Sequence, residues 1–162
     1  MAFVLRPEEP AFLTTAPVLL THSAQVRAPR AEVFAALSGD PAGWRTWFPG
    51  FRDGGYDSPA PHGVGSSRWV RVAGAGTYRE TIVVWEEPRQ WAWRVDATTL
   101  PMARALVEDW SLDEVAEGTQ VTWTFAVDPY PWFGIGLRAA PATLQRVFTT
   151  AMQRLEQRLA ER

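Results

Sequence analysis

The sequence predicts an α+β fold in which a strongly twisted antiparallel sheet of about seven strands packs its apolar face on a long C-terminal helix, with two short helices after the first strand. Apolar residues recur every three or four positions from Pro131 to Arg162, which is the period of an amphipathic helix. From Phe51 to Asp128, apolar and polar residues alternate between turns rich in glycine and proline, as in consecutive antiparallel strands. A helix this long needs an apolar surface, which one face of the sheet can provide.

The composition excludes several classes of chemistry. Cysteine and lysine are both absent from the 162 residues, so thiolate nucleophiles, cysteine-based zinc sites and lysine Schiff bases are ruled out. The two histidines, His22 and His62, are far apart in sequence, and we expect neither a metal nor a cofactor. The net charge of −2 with dispersed arginines argues against a nucleic-acid partner, and no apolar run is long enough for stable membrane insertion. We expect a cytoplasmic monomer or homodimer.

The first 16 residues form an extension that is separate from the predicted domain of residues 17–162. Pro7 and Pro10 interrupt this segment, Pro17 follows it, and it shows no clear period. It could be a disordered tail, or it could fold back over an opening in the domain. The pattern does not distinguish these alternatives.

The predicted elements follow the chain from Val18. Val18–Arg27 reads as the first strand, and Pro29 and Pro41 are each well placed as the first residue of a short helix, ending near Leu37 and Phe48. Short turns connect the six strands that follow, which indicates a meander. Those strands are Phe51–Tyr56, Ser66–Ala73, Thr77–Glu86, Gln90–Ala97, Arg104–Val115 and Thr119–Asp128. In the C-terminal helix, Pro141 predicts a kink or a fresh start, with the regular part running to about Ala160.

Alternation along the strands predicts which side chains share a face. Leu112 and Val121 are natural core residues, so Glu108 and Trp110 in one strand and Trp123 in the next should face inward with them. By the same rule Trp91, Trp93 and Val95 share one face, as do Glu80, Ile82 and Val84. Trp69 and Arg71 also share a face, and the pattern leaves open which one it is.

Ala28-Pro29 followed by Glu32-Val33-Phe34 has the pattern "P-x-x-x-V-F" at the start of the predicted first helix, and the segment from Asp40 to Gly50 has the pattern "D-P-x-x-W-x-x-W-x-P" over the second. In this order the motifs resemble those of the START-like superfamily, whose fold is called helix-grip. The hairpins at Glu86–Arg89 and Glu117–Val121 are similar to two of its recurrent turns. The resemblance covers about Val18 to Leu159 and is closest to the polyketide cyclase/dehydrase branch.

This resemblance implies a helix-grip fold, in which a curved antiparallel sheet wraps around the long C-terminal helix. It also implies an internal hydrophobic cavity between the sheet, the second helix and the C-terminal helix. The chain has 9 tryptophans, an unusual number, and several fall on the inferred inner face, where they could either stack on a ligand or simply fill the core. We take as candidate ligand-binding residues Trp44, Trp47, Phe48, Trp69, Trp91, Trp93, Trp110, Trp123, Phe125, Phe133 and Leu137.

Three charged residues are candidates for catalysis. Glu80 or Glu108, if placed inward, would have a raised pKa suited to a general acid or base, and Arg71 could polarise a carbonyl group. The alternative is that these residues are solvated or form a structural ion pair, since a register error of one residue exchanges the faces.

Three functions are therefore open. The leading hypothesis is a protein that binds a hydrophobic, aromatic, polyketide-like or lipid-like small molecule. The second is an enzyme that cyclises or dehydrates a polyketide-like chain with Glu80, Glu108 and Arg71. The third is a filled core that acts through a protein partner.

Overall fold

The computed structural model describes residues 2–161 and has the predicted helix-grip architecture. Met1 and Arg162, the ends of the predicted extension and of the predicted domain, lie outside the described residues. The sheet has the order β2-β8-β7-β6-β5-β4-β3, and every pairing in it is antiparallel. Its strands are β2 (Val18–Val26), β3 (Phe51–Tyr56), β4 (Ser67–Val72), β5 (Gly76–Glu86), β6 (Gln90–Thr98), β7 (Ala103–Val115) and β8 (Gly118–Pro129).

The helices also begin and end close to the predicted residues. Helix α2 (Arg30–Ser38) follows β2, and a 3-10 helix (Pro41–Thr46) replaces the predicted second α-helix. Proline divides the C-terminal region into α3 (Pro131–Ala139) and α4 (Pro141–Ala160), because Pro141 has no N–H to continue the hydrogen-bond ladder of α3. The fresh start predicted at Pro141 is confirmed.

The core lies between the concave face of the sheet and α4. Phe148, Met152 and Leu155 of α4 are buried there, and the ring of Phe148 stacks on Trp123 with centroids 5.9 Å apart. Arg158 holds α4 against the 3-10 helix, since its Nη1 donates to the carbonyl oxygen of Gly43 at 2.7 Å. The helix and the 3-10 helix therefore close the same end of the core.

Residues 2–16 neither trail in solvent nor cover the pocket described below. Strand β1 (Phe3–Val4) pairs with the end of β6, and the N–H of Arg6 bonds to the carbonyl of Arg104 in β7, so the segment fills a gap between these two strands. Helix α1 (Phe12–Thr15) then packs Phe12 on the outer face of β7 and β8, against Ala105, Val107 and Ala126. Because those positions alternate with the inward ones, the sheet carries apolar side chains on both faces.

A bulge in β5 changes one predicted face. The pairing of β5 with β6 shifts between Ile82 and Val84, so Val84 lies opposite Ala92 and Trp85 lies opposite Trp91. The residue added by a bulge reverses the alternation beyond it. Val84 therefore leaves the face of Glu80 and Ile82, and Trp85 takes its place beside Phe34, with ring centroids 5.8 Å apart.

Candidate functional site

An interior pocket of about 300 Å³ lies between the sheet and the first half of α4. Leu144 and Val147 of α4 form one wall, and Phe48 and Pro49 after the 3-10 helix form another. Trp44 of the 3-10 helix, the hairpin between β4 and β5, and strands β3 to β8 provide the rest of the lining, which is mostly apolar. Two larger hollows lie elsewhere, one beside Glu114–Gly118 and one beside Thr149–Gln157. Unlike those two hollows, the interior pocket is lined by aromatic side chains.

The hairpin between β4 and β5 forms part of the pocket wall. Ala73 and Ala75 line the pocket there, and Gly74 and Gly76 have φ angles of 75° and 90°. Glycine is the residue that adopts such angles without steric cost, so the sequence Gly-Ala-Gly produces a tight turn that brings two small side chains to the wall.

Five of the predicted aromatic residues line this pocket. Trp44 lies at 6.3 Å from Trp93 between ring centroids, and the edge of Phe48 meets Trp123 at 6.4 Å. The Nε1 of Trp44 donates to the carbonyl of Leu37 at 2.9 Å, which fixes the indole relative to α2. The pocket-lining members of the predicted set are Trp44, Phe48, Trp93, Trp123 and Phe125. Flat rings at these spacings form walls on which a planar ligand can stack.

Three further tryptophans of the predicted set lie behind the pocket wall. Trp47, Trp91 and Trp110 are fully buried and fill the core without lining the pocket. Trp110 stacks on Trp123 with centroids 5.6 Å apart and an interplanar angle of 23°. These three side chains therefore support the lining residues from behind.

The remaining predicted residues lie elsewhere. Phe133 borders a separate small void near Leu5, and Leu137 is buried on α3 outside the pocket. Trp69 and Arg71 share a face as predicted, but it is the outer one, because their neighbours Val70 and Val72 face the core. Arg71 is exposed and forms a surface ion pair with Asp53 at 3.9 Å. The structure thus places neither Trp69 nor Arg71 at the pocket.

Arg68, which the sequence interpretation missed, is the inward-facing arginine of β4. Its Nε donates to Oε2 of Glu80 at 2.6 Å, and Arg68 and Glu80 are direct cross-strand neighbours. The guanidinium carbon lies 4.2 Å from the ring centroid of Trp93 and 4.5 Å from that of Trp91. The signal that could have identified Arg68 is its position two residues before Val70 and four before Val72, because these apolar side chains mark the inner face.

The Arg68–Glu80 pair is closed to solvent. Both side chains are only 3% exposed. Burial raises the pKa of Glu80, and the charge and hydrogen bond of Arg68 act in the opposite direction. A buried carboxylate and guanidinium in direct contact neutralise each other, so this pair adds no net charge to the pocket.

Glu108 is the carboxyl group that remains open to the pocket. It lies on β7 opposite Phe125 and Trp93, is half-buried, and accepts a hydrogen bond at Oε2 from Nε1 of Trp123 at 2.9 Å. Burial, followed by the nearby charge of Glu80, raises the pKa of Glu108 to about 8. At neutral pH this carboxyl group therefore holds its proton most of the time.

Tyr78 completes the polar part of the pocket lining. Its hydroxyl group lies 3.8 Å from the sulfur of Met102, and burial raises its pKa. The phenol therefore stays protonated at physiological pH. Among residues 2–161, no three histidine, aspartate or glutamate side chains lie close enough together to hold a metal ion. In the same range, no helix combines the length and apolarity needed to cross a membrane.

Comparisons with known proteins agree with this architecture. A solution structure from Thermobifida fusca matches with a TM-score of 0.68 at 20% identity, covering 88% of this chain and 93% of that one. The crystal structure of ginseng major latex-like protein 151 from Panax ginseng matches with a TM-score of 0.66 at 16% identity, covering 87% and 96%. At these identities the matches show the fold alone.

Sequence comparison adds the family. An uncharacterised protein of Mycobacterium tuberculosis is 28% identical over 115 residues, which are 71% of this chain and 68% of that protein. The model of the family described as "Polyketide cyclase / dehydrase and lipid transport" matches residues 17–160. The matched range begins where the N-terminal extension ends. The chain therefore belongs to the polyketide cyclase/dehydrase and lipid transport family of the START-like superfamily.

Proposed function

We propose that this protein binds a hydrophobic, aromatic small molecule in the pocket between the sheet and α4. The observation that carries the proposal is the pocket itself, which has a volume of about 300 Å³ and is lined by Trp44, Phe48, Trp93, Trp123 and Phe125. Such a volume lies at the lower end of the usual range for ligand pockets, and a lining of aromatic walls with few polar groups is typical of them. The family description, which includes lipid transport, supports the hydrophobic character of the ligand.

A second candidate is turnover of a polyketide-like chain in the same pocket. The observation that favours it is Glu108, whose pKa of about 8 suits a general base or acid near neutral pH. Arg71 was first expected to polarise a carbonyl group of the substrate. Arg68 could do so only if its side chain, which is 3% exposed, broke its ion pair with Glu80. Binding therefore remains the principal proposal, and the carboxyl group of Glu108 is the group on which turnover would depend. A filled core acting only through a protein partner is disfavoured by the open pocket volume.

The experiment that tests this proposal fills the pocket with a larger side chain on α4 and measures ligand binding. Val147→Trp places a large ring where Val147 lines the pocket, whereas Arg146→Trp places the same ring at the adjacent exposed position of α4. Native mass spectrometry of the purified protein should show a bound mass that is lost on denaturation, or should show uptake of an added naphthyl ketone. We expect Val147→Trp to reduce that binding at least about tenfold and Arg146→Trp to leave it unchanged.

Circular dichroism and urea denaturation of both variants show whether the fold is retained, because overpacking can itself destabilise a protein. Equal binding by a folded Val147→Trp variant and the wild type would show that the ligand occupies some other surface.

A further inference from the structure

The polar groups of the pocket differ sharply in their access to a ligand. Arg68 and Glu80 are bonded to each other at 2.6 Å, and the indoles of Trp91 and Trp93 lie against the guanidinium. Both side chains are 3% exposed, so neither is available without breaking the pair. Glu108 retains partial exposure where it lines the pocket. A ligand in the pocket therefore meets the Glu108 carboxyl group first.

The two oxygen atoms of Glu108 have different surroundings. Oε2 accepts the hydrogen bond from Nε1 of Trp123 at 2.9 Å, which fixes the orientation of the carboxyl group on the pocket wall. Within residues 2–161, Oε1 makes no hydrogen bond to a protein group, and it is not among the buried polar atoms that lack a partner. This leaves Oε1 free to bond to a molecule in the pocket.

We propose that Glu108 determines the ligand specificity of the pocket by donating a hydrogen bond from its carboxyl group to an uncharged carbonyl oxygen of an aromatic ligand. This inference rests on the proposed function, because it names the chemical class that the same pocket selects. The Trp123 indole would hold Oε2 while Oε1 carries the donated proton. An aromatic ketone or quinone stacked on the tryptophan walls would present its oxygen in this way.

The described pocket lining offers a carboxylate ligand no free positive charge. The guanidinium of Arg68 is bonded to Glu80, and Glu108 holds its proton at neutral pH, so the charge of an anion at Glu108 would stay uncompensated. An unpaired charge in an apolar pocket is strongly disfavoured, whereas a neutral carbonyl needs only one donor. Fatty acids and aromatic acids should therefore bind more weakly than ketones of the same shape.

The protonation of Glu108 depends on a small set of neighbouring groups. From β5 the groups that face it are Glu80 and Tyr78, and from β4 the group is Arg68. The nearest α4 residues that line the pocket, Leu144 and Val147, are apolar. Burial and Glu80 raise the pKa of Glu108 to about 8, while Trp123 and Arg68 lower it. The carboxyl group can therefore donate a proton in a hydrogen bond below about pH 8 and loses this ability above it.

The experiment compares three naphthyl compounds that do not titrate between about pH 6 and about pH 9. They are 2-acetonaphthone, which has a neutral carbonyl oxygen, 2-ethylnaphthalene, which lacks it, and 2-naphthoate, which is an anion. Equilibrium dialysis against the full chain at about pH 6 should show the ketone binding about threefold to tenfold more tightly than the hydrocarbon, as expected for one hydrogen bond. The naphthoate should bind at least about tenfold more weakly than the ketone.

Raising the pH to about 9 should weaken ketone binding by about threefold to tenfold, because only the protonated form of Glu108 is competent. Glu108→Gln keeps a donor that does not titrate, so it should retain the preference for the ketone and lose the pH dependence. Asp113→Asn, an exposed change on the same strand, should behave as the wild type does.

The outcomes separate this inference from the proposed function. Equal affinity for the ketone and the hydrocarbon, or naphthoate binding as tight as ketone binding, would overturn the role of Glu108 while leaving the pocket as the binding site. A pH dependence that persists in Glu108→Gln would also overturn it. Failure of all three compounds to bind would refute the proposed function together with this inference.

Discussion

Removing the arginine of the buried ion pair should destabilise the protein strongly. In Arg68→Met, the guanidinium that bonds to Glu80 at 2.6 Å is lost, and a carboxyl group that is 3% exposed is left without its partner. Breaking a buried pair from one side typically costs about 3–5 kcal/mol, because the remaining carboxyl group must either stay charged without water or take up a proton. The loss of the contacts with Trp91 and Trp93 acts in the same direction. We therefore expect the free energy of unfolding to fall by about 3–5 kcal/mol near neutral pH.

The cost of Arg68→Met should depend on pH in a direction that the structure fixes. Burial raises the pKa of Glu80, and removing the guanidinium raises it further, so the folded variant holds a proton that the unfolded chain has released. Stability is then lost as the pH rises above the ordinary carboxyl range, since the unfolded state binds fewer protons there. The deficit relative to the wild type should thus be smaller at about pH 5 than at about pH 8.

Urea denaturation followed by tryptophan fluorescence measures this effect, with Arg71→Met as the matched control. Arg71 lies on the same strand but faces solvent, and its ion pair with Asp53 spans 3.9 Å, so its removal should cost less than about 1 kcal/mol. The double variant Arg68→Met/Glu80→Met removes both charges and should recover most of the lost stability. Equal effects of Arg68→Met and Arg71→Met would refute the assignment of Arg68 to the interior.

Two further predictions concern Glu108 and the C-terminal helix. Because the folded-state pKa of Glu108 is raised to about 8, wild-type stability should fall between about pH 5 and about pH 8, with a slope that approaches about 1.4 kcal/mol per pH unit for one proton. Urea denaturation at several pH values should show a smaller slope for Glu108→Gln, and an unchanged slope would contradict the raised pKa. Leu155→Ala removes a fully buried side chain from α4 and should lower the free energy of unfolding by about 2–5 kcal/mol. A change near zero in the same assay would mean that this face of α4 does not pack on the sheet.

Much of the fold could be predicted from local patterns in the sequence. The alternation around Leu112 in β7 and Val121 in β8 correctly placed Glu108, Trp110 and Trp123 on the inner face, because side chains two positions apart on one strand point to the same side of the sheet. The break at Pro141 was also predictable, since it follows from the missing N–H of proline alone. These features depend on residues close in sequence.

The features that were not predictable depend on pairing between distant segments. The bulge between Ile82 and Val84 is set by how β5 pairs with β6, and nothing local in the alternation marks it. The position of the N-terminal segment was not predictable either, because the gap that β1 fills exists only where β6 and β7 diverge beyond Arg94. A two-residue strand shows no periodicity of its own.

The sequence predicted the two carboxyl groups of the candidate site, Glu80 and Glu108, but it led to Arg71 instead of Arg68 as the arginine of the site. Arginine is rarely fully buried, so a sequence interpretation places an arginine in a strand of mixed polarity on the surface or gives it a functional role. Arg68 is buried because Glu80 lies directly across from it and two indoles cover the guanidinium, and this partner is 12 residues away in sequence. Trp69 was included among the candidate ligand-binding residues although it lies on the outer face of the sheet. A large aromatic residue suggests the core even where the alternation places it outside.

The distribution of titratable groups in the pocket favours binding over turnover. A dehydration requires a base to take one proton and an acid to protonate the departing hydroxyl group. Glu108 alone is both accessible and able to change its protonation near neutral pH. Glu80 is held by Arg68, and Tyr78 remains protonated because burial raises its pKa. A single exchangeable proton among aromatic walls is enough to recognise one neutral oxygen atom. Dehydration, in contrast, would require Glu108 to act first as the base and then as the acid. One fixed carboxyl group would then have to reach both sites of proton transfer on the substrate.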